Sequence, residues 1–198
     1  MSLSYIVDPY IGKWRYLKTY IPDFDYHKTV TDYADANNIV GHQQRAFNIY
    51  WVIKENERTK GIGLDIGCGQ VISPYCIGID SYSGHNHPQY GGEYWPHVRC
   101  LGESLPFASE TFDLIIGNHI LNVMKNTIGA ITEWLRVLKP GGKIAIILPD
   151  RKHDDTRYIS SYTAEEFEEL LKQIPNIKII EHDTFKNNFS FNTVIEKV

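Results

Sequence analysis

The sequence has little of what marks several large classes of protein. Only three of its 198 residues are cysteine, and the spacing of Cys68, Cys76 and Cys100 matches neither a disulfide framework nor a zinc site, which favours reduced thiols. No apolar run approaches the ~18 residues that a membrane-spanning helix needs. Charge of one sign is not in large excess either, because the formal net charge is only −4. That value disfavours a protein that binds nucleic acid by electrostatics alone.

The start of the chain also lacks the basic residues followed by an apolar run that mark a secretory signal, so we expect a cytoplasmic protein. With 42% hydrophobic and 22% charged residues, the composition is that of an ordinary globular domain. Residues 1–40 are rich in aromatic side chains and interrupted by Pro9 and Pro22, which predicts short helices and loops. We interpret this segment as a lid or substrate wall, or simply as aromatic packing, on a main domain at residues 41–198.

Apolar strands alternate with helices through most of the main domain. The predicted strands are 61–67, 75–81, 97–103, 111–119, 143–150, 177–183 and 189–198, and the predicted helices are 42–61, 130–138 and 163–174. This alternation indicates an α/β fold with a parallel sheet that is covered on both faces. The last two strands have no helix between them, so we expect a hairpin in which the final strand is antiparallel.

The first predicted strand ends in a glycine turn, Asp65-Ile66-Gly67-Cys68-Gly69. Ligands of a parallel sheet bind beyond the carboxyl ends of its strands, and glycine lets the backbone approach a ligand closely. Ile72 stands where a dinucleotide fold would place a third glycine, which disfavours a nicotinamide dehydrogenase. The carboxylate of Asp65 would repel a phosphate, but it suits a ligand with an amino group.

This D-x-G-x-G pattern resembles the first motif of the class I S-adenosylmethionine-dependent methyltransferases of the methyltransferase type 11 kind. "LPF" followed by "FD" at residues 105–113, and "LKPGG" at residues 138–142, are similar to later segments of that family, in the same order. The resemblance is strongest over residues 60–150. It implies a Rossmann-like sheet, mostly parallel with an antiparallel last strand and helices on both faces, and S-adenosylmethionine as the cofactor.

The resemblance also implies which residues hold that cofactor. Asp80 looks like the acid that binds both ribose hydroxyls, and the backbone of residues 101–103 would contact the adenine, because Leu101 holds the place of an acid found in many members. The expected cofactor-binding residues are Asp65, Gly67, Cys68, Gly69, Asp80, Ser81, Leu101, Gly102, Glu103 and Asn118. A nucleophilic role for Cys68 is not expected, because nothing nearby in the sequence would activate its thiol.

The chain departs from the family pattern in two places. Between Gly69 and Ile77 there is room only for a turn, where most members have a helix. A short connection is found in some members, often ones that modify sugars or small metabolites. After the fourth strand many members carry Glu-His, whereas this chain has Asn122-Val123.

Two histidines near the ends of the fourth and fifth strands are the candidates for chemistry. His119 matches a common histidine position of the family, and the alternative is a satisfied core histidine. His153 lies in "PDRKHDDTRY", which loosely resembles a loop of methyltransferase domains associated with bacterial surface-glycan synthesis. There Arg157 and Tyr158 are candidate substrate-binding residues. The alternative for this stretch is a solvated charged loop.

We therefore expect methyl transfer to oxygen or nitrogen of a small molecule or glycan precursor. An RNA or protein substrate, or a non-catalytic scaffold, is the alternative, and the acidic charge disfavours nucleic acid. We expect no metal, although His85, His87 and His97 leave a zinc site open. The oligomeric state does not follow from the sequence.

Overall fold

The computed structural model describes residues 4–7, 14–17, 40–70, 72–73, 75–86, 88, 93–153, 157–184 and 189–198. Two short strands, β1 (Ser4–Val7) and β2 (Trp14–Leu17), pair antiparallel near the start of the chain. The prediction of short helices and loops was therefore wrong for these eight positions. Their β-branched and aromatic residues favour a strand, and Pro9 and Gly12 lie between them in a sequence typical of a turn. The lid predicted at residues 1–40 otherwise lies outside the described residues.

The main domain is built on one seven-stranded sheet. Its strands are β3 (Gly63–Ile66), β4 (Cys76–Asp80), β5 (Val98–Arg99), β6 (Phe112–Asn118), β7 (Leu138–Pro149), β8 (Ile177–Thr184) and β9 (Ser190–Lys197). Across the sheet the order is β5-β4-β3-β6-β7-β9-β8. The first five strands of that order are parallel, whereas β9 runs antiparallel to both β7 and β8. This confirms the predicted fold class and the antiparallel last strand.

The strand order reverses between β3 and β6, which lie side by side although they are distant in sequence. In open parallel sheets, the crevice at such a reversal is the usual place for a ligand, beyond the carboxyl ends of the strands. The glycine turn follows β3, and Asn118 ends β6 with His119 directly after it, so both candidate regions lie at this crevice.

Helices cover both faces of the sheet, as predicted. They are α1 (Val40–Thr59), α2 (Thr127–Val137) and α3 (Ala164–Leu171). On one face, Trp51 and Val52 of α1 pack against alternate residues of β6 and β7, among them Leu114 and Ile116. On the other face, α2 and α3 bury Trp134 and Phe167 in the larger core. Because side chains alternate along a strand, Asn118 continues the register of Leu114 and Ile116 on the α1 face.

Local sequence explains where the helices begin and end. The side chain of Asn126 accepts a hydrogen bond from the Gly129 N–H at 2.9 Å and so caps α2. Thr163 and Glu166 form the predicted capping box of α3. Helix α1 ends before Lys60, which adopts a left-handed φ of 55°. Within the described part of the chain, no helix has the length and apolar character needed to cross a membrane.

The short connection between β3 and β4 lies directly on the sheet, on the face that α1 also covers. Gly78 of β4 makes room for it, because a Cβ there would stand 2.6 Å from Ile72 of the connection. The N–H of Ser73 donates to Oδ2 of Asp65 at 2.8 Å and fixes the connection to β3. A crossover helix is therefore replaced by a turn that packs against glycine.

Candidate cofactor and acceptor site

The glycine turn after β3 is held by backbone bonds and by left-handed glycines. Gly67 and Gly69 have φ angles of 67° and 61°. The N–H groups of Gly67 and Cys68 both donate to the carbonyl of Ile79 in β4, at 2.9 and 3.1 Å. A Cβ at Gly67 would stand 2.6 Å from Ile120, so the segment after β6 packs against the turn. Only glycine combines this conformation with this close approach.

Asp80 lies beside the turn at the carboxyl end of β4. Its Oδ2 accepts from the Gly69 N–H at 3.1 Å, and its Oδ1 accepts from the Tyr82 N–H at 3.0 Å. A carboxylate has about four acceptor positions, so two backbone bonds leave capacity for two further donors. The arrangement fixes the carboxylate and keeps it able to bind a pair of vicinal hydroxyls.

Asp65 and Cys68 are buried on the same turn. Asp65 holds the β3–β4 connection through Ser73, so its carboxylate has a structural contact that the sequence pattern did not predict. Burial, with Asp65 and Asp80 nearby, raises the pKa of the Cys68 thiol well above its ordinary range. The thiol therefore stays protonated, as expected of a small packing residue rather than a nucleophile.

The residues after β5 come close to the end of β3. A Cβ on Gly102 would crowd Ile66 and Met124, and the Gly102 carbonyl accepts from the indole N–H of Trp134 at 2.8 Å. The side chain of Leu101 is 58% exposed, which leaves it accessible to a ligand above the turn. Glu103 and Ser81 are exposed nearby, and the Ser81 carbonyl accepts from Arg99 Nε at 3.0 Å.

These residues fit the cofactor that the sequence resemblance implies. A carboxylate with spare acceptor positions suits the ribose hydroxyls, and the left-handed glycine turn allows a close approach of the amino acid portion. The exposed side chain of Leu101 can contact a purine, whereas Gly102 packs against Ile66 and Met124 of the core.

A second cluster lies at the end of β6, on Asn118 and His119. His119 adopts a left-handed φ of 51°, and its Nε2 lies 3.1 Å from Oγ of the buried Ser190 in β9. Burial lowers the pKa of His119 to about 4, which keeps the imidazole neutral at physiological pH. The Oδ1 atom of Asn118 is buried and has no hydrogen-bond partner among the described residues.

The loop after β7 is joined to the segment after β6. The carbonyl of Asn122 accepts from the N–H groups of Ile159 and Ser160 at 2.7 and 3.0 Å. Ser160 Oγ donates to the Met124 carbonyl at 2.9 Å. The exposed Arg157 and the partly buried Tyr158 immediately precede this junction. His153 closes the short turn Arg151–His153, and Asp154 and Asp155 lie outside the described residues.

Four residues of this region were not among the sequence candidates. Asn122 carried a signal, since it is a polar residue in an apolar run, but the prediction treated it only as a departure from the family. The buried Asp150 lies in the quoted stretch "PDRKHDDTRY" but was not singled out, and Ser190 carries no local signal, because β9 brings it to the site. Tyr94 packs near Gly69, with its ring 3.7 Å from the position of a Cβ there.

The histidines with zinc-like spacing are engaged in other contacts. His97 Nδ1 accepts from the Gly78 N–H at 3.1 Å, and His85 Nδ1 lies 2.8 Å from Glu93. His87 lies outside the described residues. Within the described ranges, no group of three or more potential metal ligands is present.

Residues 64–146 match a family model described as "Methyltransferase domain" (Methyltransf_11). An uncharacterized protein of Methanocaldococcus jannaschii is 33% identical over 93 residues, which is 46% of this chain and 45% of that protein. The chain thus matches less than half the length of this relative.

Solved structures share the fold at low sequence identity. A SAM-dependent methyltransferase from Aquifex aeolicus has a TM-score of 0.53 and 15% identity, with 89% of this chain and 100% of that chain covered. The [4+2]-cyclase SpnF has a TM-score of 0.55 and 17% identity, with 79% of this chain and 82% of that chain covered. At such identities the likeness shows the fold alone.

The strand order, the glycine turn and the acid after β4 define a class I methyltransferase fold. Residues 64–146 are similar to that methyltransferase domain family, and the sheet has the class I methyltransferase fold. S-adenosylmethionine is therefore its expected cofactor.

Proposed function

We propose that this protein transfers a methyl group from S-adenosylmethionine to an oxygen or nitrogen of a small molecule or glycan precursor. One observation carries the proposal. The Asp80 carboxylate is fixed by the N–H groups of Gly69 and Tyr82 at the crevice where the strand order reverses, and it keeps acceptor positions for ribose hydroxyls. A residue that only capped a turn would not need to lie at this crevice.

Each residue proposed to hold the cofactor binds one part of it and so fixes where the methyl group lies. Asp80 binds the ribose, the turn at Gly67 and Gly69 receives the amino acid portion, and Leu101 and Gly102 cover the adenine. When bound, S-adenosylmethionine supplies an electrophilic methyl group on a sulfonium. Because such a displacement needs little covalent assistance, most of the acceleration can come from holding the acceptor in line with that methyl group.

Asn118 and His119, at the end of β6, are proposed to face the acceptor. Because burial lowers the pKa of His119 to about 4, the neutral imidazole can accept or donate a hydrogen bond but is a weak base. We therefore propose that His119 orients the acceptor and receives its proton only as the new bond forms. His153, Arg157 and Tyr158 are proposed to contact the remainder of the substrate, because their loop is joined to residues 122–124.

The test is calorimetric titration of S-adenosylhomocysteine into the wild type and Asp80→Ala. Hydrogen bonds to a charged group contribute about 1.5–3 kcal/mol each, so we expect roughly micromolar binding that weakens more than about tenfold. Asp113→Ala is the matched control, because Asp113 also pairs at short range, with Lys139, but lies at the opposite end of the sheet beside Gly61. Its binding should equal that of the wild type.

A second measurement addresses the acceptor. Transfer of tritium from the methyl group of S-adenosylmethionine is followed into a deproteinised small-molecule extract of the host cells, and separately into RNA and protein fractions. Label in the small-molecule extract is expected. Label only in RNA or protein would overturn the substrate class, and failure of the wild type to bind S-adenosylhomocysteine would favour a non-catalytic scaffold instead.

A further inference from the structure

Among the described residues of this region, the carboxamide of Asn122 is the most deeply buried polar group that has no hydrogen-bond partner. Asn122 is 2% exposed, and neither its Oδ1 nor its Nδ2 has a hydrogen-bond partner among the described residues. Buried side-chain amides are normally bonded, and leaving one unbonded costs free energy. An amide with both ends unsatisfied therefore indicates a missing group that can donate and accept.

Asn122 lies in a segment where a ligand of this sheet is expected. Its backbone carbonyl already joins the segment after β6 to the loop after β7 through Ile159 and Ser160. Both segments follow the carboxyl ends of parallel strands, where a ligand of this sheet is expected. Asn118, four residues earlier, adds a second buried oxygen without a partner among the described residues.

The chemistry of the two segments limits the ligand. Residues 118–124 (Asn-His-Ile-Leu-Asn-Val-Met) and residues 158–163 (Tyr-Ile-Ser-Ser-Tyr-Thr) contain no Asp, Glu, Lys or Arg. Two hydroxyls among them are already used, Ser160 on the Met124 carbonyl and Tyr162 on Thr127 Oγ1 at 2.9 Å. We call these two stretches the acceptor loops. Cations flank the two stretches at Lys125 and Arg157, but neither stretch itself supplies a charge beside Asn122, which favours a neutral polar group there.

We propose that the Asn122 carboxamide binds an uncharged hydroxyl or amide group of the methyl acceptor, between the acceptor loops. Asn122 is thus a specificity-determining residue that selects a neutral group able both to donate and to accept a hydrogen bond. The inference rests on the proposed methyl transfer and narrows its substrate class. It also explains why a polar residue stands in the apolar run "ILNVM" at residues 120–124.

Melting temperatures distinguish a role of Asn122 in binding the acceptor from a role in stabilising the fold. Asn122→Leu keeps the approximate shape and removes an unbonded amide, so its melting temperature should equal or exceed that of the wild type. Asn192→Leu is the matched control. Asn192 is also buried, at 4% exposure, but its Nδ2 donates to Glu181 Oε1 at 2.7 Å. Because that variant breaks a formed bond, its melting temperature should fall by at least ~3 °C.

Methyl transfer tests the binding role directly. Tritium transfer into the deproteinised small-molecule extract is measured against extract dilution for the wild type, Asn122→Leu and Asn122→Asp. Loss of one hydrogen bond and desolvation of its partner should raise the half-saturating amount of extract about tenfold in Asn122→Leu. Asn122→Asp keeps the acceptor oxygens but loses both amide donors, so it should be impaired at least as much. The affinity for S-adenosylhomocysteine should stay unchanged in both variants.

Several results would overturn the inference. A clear fall in the melting temperature of Asn122→Leu, or weaker S-adenosylhomocysteine binding, would assign Asn122 a structural or cofactor role. Wild-type transfer by Asn122→Leu would remove it from acceptor binding. Retained or faster transfer by Asn122→Asp would indicate a cationic group. If the wild type binds S-adenosylhomocysteine but labels nothing in the extract, the proposed small-molecule substrate fails, and the inference fails with it.

Discussion

The two sides of the crevice differ in how their polar side chains are hydrogen-bonded. On the cofactor side, which we define as residues 63–82 and 98–104, the carboxylates of Asp65 and Asp80 are each bonded to backbone N–H groups. In the acceptor loops, the amides of Asn118 and Asn122 include buried atoms without partners among the described residues. The contrast teaches that the described protein itself supplies hydrogen-bond donors to the carboxylates of the cofactor side. It does not supply hydrogen-bond partners to the buried amide atoms of the acceptor loops.

This difference has a thermodynamic consequence. A bonded carboxylate is held in place before any ligand arrives, so cofactor binding loses little conformational entropy there. An unbonded buried amide lowers the stability of the free protein and regains that free energy when a partner binds. We therefore expect substitutions on the cofactor side to cost stability and affinity together, and substitutions at Asn122 to cost acceptor binding alone.

The largest effect should come from the glycine turn itself. Gly67→Ala forces an L-residue into a left-handed conformation, which costs about 1 kcal/mol, and crowds Ile120 at 2.6 Å, which adds about 1–3 kcal/mol. We expect the free energy of unfolding in urea to fall by about 2–4 kcal/mol, and S-adenosylhomocysteine to bind more weakly.

Gly141→Ala is the control for this substitution. Gly141 has a similar left-handed φ of 72°, but no atom of the described residues lies within 4 Å of a Cβ there. It should lose only about 1 kcal/mol, with unchanged cofactor affinity. If the free energy of unfolding fell equally in the two variants, the contact between residue 67 and Ile120 would add nothing to the cost of the substitution.

An intermediate effect should come from the pH dependence of stability at His119. Because its folded pKa of about 4 lies below its ordinary value of 6.5, the unfolded chain binds the proton more readily between these values. The stabilisation is complete above pH 6.5 and is lost as the pH falls toward 4. Between pH 8 and pH 5 the loss should be about 2 kcal/mol in the wild type.

The comparison protein is His119→Asn, because asparagine also tolerates the left-handed φ. Urea denaturation at several pH values should show a smaller drop for this variant than for the wild type over the same range. If the free energy of unfolding depended on pH in the same way in both proteins, the titrating group would be a residue other than His119.

The smallest effect on stability should come from Leu101. Because its side chain is 58% exposed, Leu101→Ala should change the free energy of unfolding by less than about 0.5 kcal/mol. If Leu101 covers the adenine, S-adenosylhomocysteine should still bind several-fold more weakly. If the affinity for S-adenosylhomocysteine were unchanged, the adenine would be bound by the backbone of residues 102–103 and not by the Leu101 side chain.

Much of the fold was predictable because its signals are local. The alternation of apolar strands with helices predicted the parallel sheet, and the missing helix before the final strand predicted its antiparallel direction. The short β3–β4 connection was also evident from chain length. What the sequence did not reveal is how a turn replaces a helix, since this depends on Ile72 of the connection packing against Gly78 of β4.

The site was predictable in part for the same reason. Gly69 and Asp80 are brought together at the ends of paired strands, which motif spacing anticipates. The contact between His119 and Ser190 joins residues 71 positions apart across β7 and β9, and no local pattern encodes it. The strands at residues 4–7 and 14–17 were missed because their aromatic residues were interpreted as packing rather than as strand formers.

The bonds that join the acceptor loops also define a unit of exchange for protein engineering. Three hydrogen bonds join the loops, two to the Asn122 carbonyl and one from Ser160 to Met124, and Tyr162 ties the second loop to Thr127 at the start of α2. Each of these three bonds has one partner in each loop, so grafting either loop alone from a relative would replace one partner of every bond. A change of substrate preference in this scaffold therefore requires both stretches to be transplanted together, as one cassette of two discontinuous segments.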